Sequence, residues 1–327
     1  MTATLSDRRV RAVRHLLHHC GGLGPDDRVI VLSDATTADL AAAFVAEART
    51  VARSVVSEQV DGLDRHGQEP PAVVAERMVA STLILSLCRY SLAHSSSRLD
   101  AAAAGARFLS MPLYDWALLD DPCVLTDFRA QGALVRSVAD AFTAGSSVHL
   151  TTPAGTDLTV GIDGRVGNAC PGFVERPGDL GSPPDIEANV SPIETSATGR
   201  LVVDGSITCP EIGLLERPVV VDVDDGRLRR IVDGRPADRA ELERQLHDAA
   251  SARRVVAECG VGLNPDARLT GTMLTDEGAL GCVHIGVGAN DTVGGRNHVD
   301  FHLDLVMRDA SLTVDGRPIL DRGTVVL

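Results

Sequence analysis

Apolar residues in the first part of the chain come in short unbroken runs, each followed by a stretch whose apolar positions recur at helical spacing. Arg28-Val-Ile-Val-Leu-Ser-Asp34 reads as a buried strand, and the alanine-rich stretch 37–53 as the helix after it, capped by Thr36 or Thr37. The unit repeats as strand 55–60, helix 71–80, strand 83–87, helix 95–104 stopped by Gly105, and strand 107–111. An arginine-rich helix over 6–20 precedes this series and a helix over 128–142 follows it. Such alternation predicts a parallel sheet with helices on its faces and function at the carboxyl ends of the strands.

Past Gly145 the texture changes to short strands and glycine-rich turns, at 147–151, 157–162, 201–203, 219–223 and 228–232, with one helix over 238–250. Asp224-Asp-Gly226 is a hairpin signal. The expected architecture is therefore α/β, with a parallel-sheet βα domain over 1–145 and a β-rich α+β domain over 146–327.

The run His298-Val-Asp-Phe-His-Leu-Asp-Leu-Val-Met307 alternates strictly, so a strand there puts His298, Asp300, His302 and Asp304 on one face. Asp is depleted in strands, so the ordinary explanation, a solvated face, fits this composition poorly. Imidazole plus carboxylate suits Zn, Fe, Mn or Co, which makes His302 and Asp304 candidate metal ligands. Two neighbouring apolar runs, 282–288 and 255–262, carry His284 and Glu258. Either residue is a ligand if the strands converge, or a hydrogen-bonded core residue if they do not.

Glu187 lies in the proline-bracketed segment Pro183-Pro-Asp-Ile-Glu-Ala-Asn-Val-Ser-Pro192, which by composition is a loop. His94 falls at an expected strand-to-helix switch, where it is either a helix-start residue or an acid or base. The segment Ser91-Leu-Ala-His-Ser-Ser-Ser-Arg98 around it could equally take an anionic substrate group at a helix N-terminus.

Composition narrows the chemistry. The chain has 327 residues, 44% hydrophobic and 23% charged, an ordinary globular balance. A formal charge of −14 argues against a nucleic-acid partner. All 31 basic residues are arginine, which removes Schiff-base, P-loop and Ser-Lys mechanisms. Neither G-x-S-x-G nor G-x-G-x-x-G after a strand occurs. Seven cysteines without a C-x-x-C pair fit reduced thiols, and no signal peptide or membrane span is expected, so the expected location is the cytoplasm.

The ordered series Asp185-Ile-Glu187, Glu258-Cys-Gly-Val-Gly-Leu-Asn-Pro265, Asp276-Glu, Gly281-Cys-Val-His-Ile-Gly-Val-Gly288, Gly294-Gly and His302-Leu-Asp304 resembles the motifs of the aminopeptidase T (M29) metallopeptidase superfamily. In the first half, His94-Ser-Ser-Ser-Arg98 leading into Gly105-Ala-Arg-Phe-Leu-Ser-Met-Pro112 extends the likeness. The resemblance implies two divalent metals, Zn, Co or Mn, held by Glu187, Glu258, His284, His302 and Asp304, with His94, Glu187 and Glu258 as candidate catalytic groups. It also implies a homodimer and a small or short peptide-like substrate.

Two departures stand out. The chain is shorter than typical aminopeptidases of the family, and the tyrosine they carry after H-x-x-x-G is replaced by Ala289-Asn-Asp-Thr292. The superfamily includes, at this shorter length, 2,5-dihydroxypyridine ring-cleaving dioxygenases with a two-histidine, one-carboxylate Fe(II) site. His302 and Asp304 would match two of those ligands, but Glu258 stands where the third ligand, a histidine, is expected; a triad of His284, His302 and Asp304 would still serve that chemistry. The leading expectation is thus an aminopeptidase-like, metal-dependent hydrolase of peptide or amide bonds. The alternatives are a mononuclear Fe(II) dioxygenase of a small aromatic or pyridine ring, and a non-catalytic binding protein on the same scaffold.

Overall fold

The computed structural model describes residues 5–248 and 250–327. They form two compact units, the first holding the chain up to Ala130 together with Pro171–Pro183, the second holding Gln131–Cys170 and Pro184–Leu327. The boundary expected at Gly145 coincides instead with the end of the Phe128–Ala144 helix. The segment Pro171–Pro183 returns to the first unit because Leu180–Gly181 pairs in parallel with Arg107–Ser110.

In the first unit the parallel sheet runs in the order Ser54–Gln59, Arg28–Ser33, Leu83–Ser86, Arg107–Ser110, Leu180–Gly181. Ile30, Leu32, Ile84 and Phe108 project from its central strands onto Met78 and Val74 of the Ala72–Val79 helix. Side chains of this size each contribute roughly 1.5–3 kcal/mol when fully buried. The helix expected over 37–53 is Ala38–Ala48, and neither threonine before it supplies a side-chain cap. The one expected over 6–20 is an α-helix, Asp7–Arg14, capped by Ser6 and continued by a wider π-helical turn, His15–Cys20.

The helix N-terminus offered above as an anion site is already filled. Glu69 accepts from Ser96 N at 2.5 Å, Ser97 N at 3.1 Å and Ser97 Oγ at 2.6 Å, while Ser95 Oγ accepts from Arg98 N. Burial raises the Glu69 carboxyl, but these donors outweigh it and hold its pKa below the usual value. At the end of the first strand Asp34 likewise accepts from Arg89 N at 2.5 Å and Thr36 N at 2.8 Å. Both positions where a parallel sheet would receive a ligand anion therefore hold the chain's own carboxylates. Glu69→Ala is expected to cost ~1 kcal/mol, as loss of a helix cap does. An unchanged denaturation midpoint would make that contact incidental.

The second unit contains two antiparallel sheets. One of eight strands holds the Val219–Asp224 and Arg227–Asp233 hairpin, whose turn residues Asp225 and Gly226 have φ of 50° and 69°, the primed turn that the sequence signals. The helix after it is Pro236–Leu246, shorter than the expected 238–250; His247, at φ 58°, ends it, and Ala249 lies outside the described residues.

The other sheet runs in the order Gly213–Leu214, Ser206–Ile207, His302–Met307, Val283–Gly288, Val256–Gly262, Glu187–Val190, Gly167–Cys170. One face carries Ala188, Val190, Cys259, Val261, Val283, Ile285, Val287, Leu303 and Leu305, all buried. The pairing places the candidate ligands on the opposite face.

Candidate metal centre

Strand register assembles the site. Glu187 lies opposite Gly262, Glu258 opposite Gly286, Gly260 opposite His284, and Gly286 opposite Asp304, so four adjacent strands direct these positions to one side. Glu187 is not in a loop: Glu187–Val190 is a buried strand between two others, and the prolines at 183, 184 and 192 fall outside it. The strand expected from His298 starts at His302. Upstream, Phe301 N closes a tight turn onto Val299 O, and Asn297 donates through Nδ2 to Ala252 O and Gly288 O. His298 is consequently exposed and paired with Asp291, and neither it nor Asp300 belongs to the strand.

Glu187, Glu258 and His284 each offer a ligand atom within 4.8 Å of the others. His284 Nε2 lies 3.1 Å from Glu187 Oε2 and 3.5 Å from Glu258 Oε1. The second oxygen of Glu258 faces a second imidazole, His302 Nε2, at 3.5 Å, and that nitrogen lies 3.2 Å from Asp304 Oδ1. Two triads therefore share one carboxylate. The side chains of Glu187, Glu258, His284 and Asp304 are at most 10% exposed, whereas His302 keeps 34% of its surface open, which marks the approach from solvent.

Glycines clear the floor beneath the rings. A Cβ on Gly260 would stand 2.0 Å from His284 Nε2, and one on Gly286 would stand 2.8 Å from His302 Nε2 and 2.9 Å from Glu258 Cβ. No residue but glycine leaves room for imidazoles lying this close over the strand backbone.

Polar neighbours hold the donors. Asn189 Nδ2 donates to Glu187 Oε1 at 2.7 Å. Ala289 O lies 3.0 Å from His302 Nδ1 and accepts its proton, which leaves Nε2 as the ligand atom. Thr208 Oγ1 accepts from Asp304 N at 3.2 Å and lies 3.4 Å from Asp304 Oδ2. Two further acids, the buried Asp185 and the half-buried Glu277, complete the cluster. Burial and then the charge of Glu187 push Asp185 well above the usual carboxyl range; burial and then Asp304 do the same to Glu277. Burial also raises Glu258. For His302 burial acts downward, but Asp304 and Glu258 outweigh it and push the imidazole up to about 10. His284 is likewise raised well above its ordinary value, chiefly by Glu187 against the opposing effect of burial.

This set fits divalent cations. Five carboxyl groups face two imidazoles, an excess of acid that a dry interior does not tolerate without positive charge or added protons. Glu187 Oε2 and Asp185 Oδ1 are buried with no hydrogen-bond partner, a costly state for a core and the ordinary state of an oxygen reserved for a metal. His94 belongs to the first unit, exposed in the turn before Ser95. Asp185, Asn189 and Glu277 were not singled out as site residues from sequence. The period-two argument that paired His302 with Asp304, applied to Asp185-Ile-Glu-Ala-Asn189, would have found the first two.

The family described as 2,5-dihydroxypyridine 5,6-dioxygenase (NicX) has a model that matches residues 8–327. The chain belongs to this family. The 2,5-dihydroxypyridine 5,6-dioxygenase of Pseudomonas putida KT2440 is 26% identical over 192 residues, 55% of this chain and 54% of that protein, so the alignment spans about half the relative's length. A solved structure of 2,5-dihydroxypyridine dioxygenase from the same organism matches with a TM-score of 0.82 at 19% identity, over 99% of this chain and 98% of the other. Wild-type AmpT from Thermus thermophilus matches with a TM-score of 0.69 at 16% identity, over 98% and 99%. At these identities the two structures establish the fold; the part of the motif resemblance that names the 2,5-dihydroxypyridine dioxygenases is borne out by the family match. All seven cysteines are free, and no described helix is long and apolar enough to cross a membrane.

Proposed function

We propose that the chain is a metal-dependent hydrolase of peptide- or amide-type bonds, in which Glu187, Glu258 and His284 hold one divalent ion and Glu258, His302 and Asp304 hold a second. The observation that carries this reading is the division of Glu258: one oxygen faces His284, the other His302, each at 3.5 Å. A carboxylate can span two ions in this way, and a neutral imidazole cannot. Zn, Co or Mn suits such oxygen and nitrogen donors. Bound there, the pair would supply Lewis acidity and an acidified water for hydrolysis.

The chain's own part is to present and hold the donors. Asn189 occupies one oxygen of Glu187 and Ala289 fixes the tautomer of His302. Burial and then the neighbouring Asp304 push the Glu277 carboxyl well above the usual range, which favours its holding a proton beside the metal ligands. The apolar opposite face of the sheet shuts water out from behind. The test is reconstitution of the metal-free protein with Zn, Co or Mn, followed by assay on a panel of dipeptides and amides. Metal-restored cleavage is expected; absence of cleavage across the panel, together with oxygen uptake on hydroxylated pyridines, would overturn the reading.

One observation favours a second reading, a mononuclear Fe(II) ring-cleaving dioxygenase: the family match runs through residues 8–327. In that case His284, His302 and Asp304 would hold the iron.

Either reading predicts proton release. The His302 imidazole, raised to about 10 in the metal-free protein, is charged at neutral pH and must give up its proton to bind metal. Binding calorimetry at pH 7.5 in two buffers of different ionisation enthalpy should report at least one proton released per site filled, and none would contradict the assignment. The sign for stability is opposite. A raised imidazole pKa stabilises the metal-free fold fully below its unfolded value of about 6.5, and that contribution disappears as pH climbs through about 10.

A further inference from the structure

Glu187 has two oxygens in unlike states. Oε1 accepts from Asn189 Nδ2 at 2.7 Å, while Oε2 is buried, without a hydrogen bond, 3.1 Å from His284 Nε2. A free carboxylate could exchange these oxygens by rotating. What prevents this is Asn189, whose own orientation is decided: its Oδ1 accepts from Asn168 Nδ2 at 2.9 Å, so only its NH2 can face the carboxylate. Asn168 and Asn189 are register partners on the Gly167–Cys170 and Glu187–Val190 strands, so they stand side by side on the face that carries Glu187. The second hydrogen of Asn168 goes to Val293 O at 3.3 Å, in the segment that follows the His284 strand.

That segment is itself held. Val293 N and Gly295 N both donate to Asn290 O, Arg296 N donates to Glu194 Oε1 at 2.6 Å, and Arg165 reaches both Glu194 and Gly294 O. Cys170, the register partner of Glu187, places its sulfur 3.9 Å from Asn189 Nδ2 and thus fills the remaining side of the amide. The amide relay from Val293 through Asn168 and Asn189 to Glu187 leaves one carboxylate oxygen of Glu187 without a hydrogen bond, and it is the one turned toward His284.

We propose that Asn189 is the positioning residue of this centre: fixed by Asn168, it presents Glu187 as a one-oxygen donor and ties that presentation to the order of the segment 290–297. Here the proposal rests on the two-metal reading. It acts on metal binding through Glu187 alone, which gives it a signature that a packing role lacks.

The test is a double-mutant cycle read by calorimetric titration of Mn(II) or Co(II) into metal-free protein. Asn189→Ala should weaken one of the two binding events about 10- to 100-fold, the range for loss of a partner that orients a ligand, and leave the other within about twofold. In the Glu187→Gln background the same substitution should change affinity by less than about twofold, because the group it orients is no longer a carboxylate donor. Asn168→Ala should weaken the same event by a smaller factor, and it keeps the proposal testable if Asn189→Ala fails to fold. Equal losses with and without Glu187→Gln, or no loss from either asparagine, would overturn the positioning role. Should Glu187→Gln itself leave both metals bound at full affinity, the two-metal reading falls first, and the proposal with it.

Discussion

Glu258→His should reduce bound metal from two equivalents to one and lower hydrolysis by at least about 100-fold, the upper end of what loss of a mere orienting partner costs. The reason is geometric. Glu258 is the one side chain whose two oxygens face both imidazoles, each at 3.5 Å, and an imidazole in its place offers a single donor atom to a single ion. The same substitution supplies the histidine expected as third ligand of a mononuclear iron site, so a ring-cleaving enzyme would keep working or improve. Metal content and oxygen uptake on this variant separate the two chemistries. Two metals with undiminished hydrolysis would show that Glu258 does not bridge.

Gly260→Ala should be nearly as damaging, although it removes no ligand. The new methyl would stand 2.0 Å from Nε2 and 2.1 Å from Cε1 of His284, whose ring is 1% exposed. The ring has no space to retreat into, so the cost falls on the backbone, roughly 1–3 kcal/mol of overpacking, and on the metal held by His284. Gly286→Ala is the comparison. It would meet His302 at 2.8 Å, a ring that is 34% exposed and can swing outward, but also Glu258 Cβ at 2.9 Å, so it should weaken metal binding with a smaller loss of stability than Gly260→Ala. Equal effects at the two glycines would mean that the clearances do not control the rings.

Legibility from sequence followed the locality of each feature. The parallel sheet of the first unit was readable because each strand and helix carries its own period, and His302 with Asp304 because a strand alternates whatever its partners. The Glu187–Val190 strand was not, since an alternation this short between prolines does not tell a strand from a loop, and only pairing with Gly167–Cys170 and Val256–Gly262 makes it a strand. Resemblance to a family, rather than any local pattern, pointed to Glu187. The return of Pro171–Pro183 to the first unit depends on a two-residue parallel strand, and the filling of a helix N-terminus by Glu69 depends on a residue far along the chain. Both are tertiary facts with no local signature. The strand start at His302 was missed for a related reason: alternation continues upstream, but Asn297 and a tight turn at Phe301 take the backbone out of the ladder.

The most direct test of the two-metal centre is elemental analysis of the protein purified under anaerobic conditions, with each metal counted per chain. The account predicts two equivalents of Zn, Co or Mn, falling to one in Glu258→His. A single equivalent of iron, accompanied by oxygen consumption when a hydroxylated pyridine is added, would contradict it.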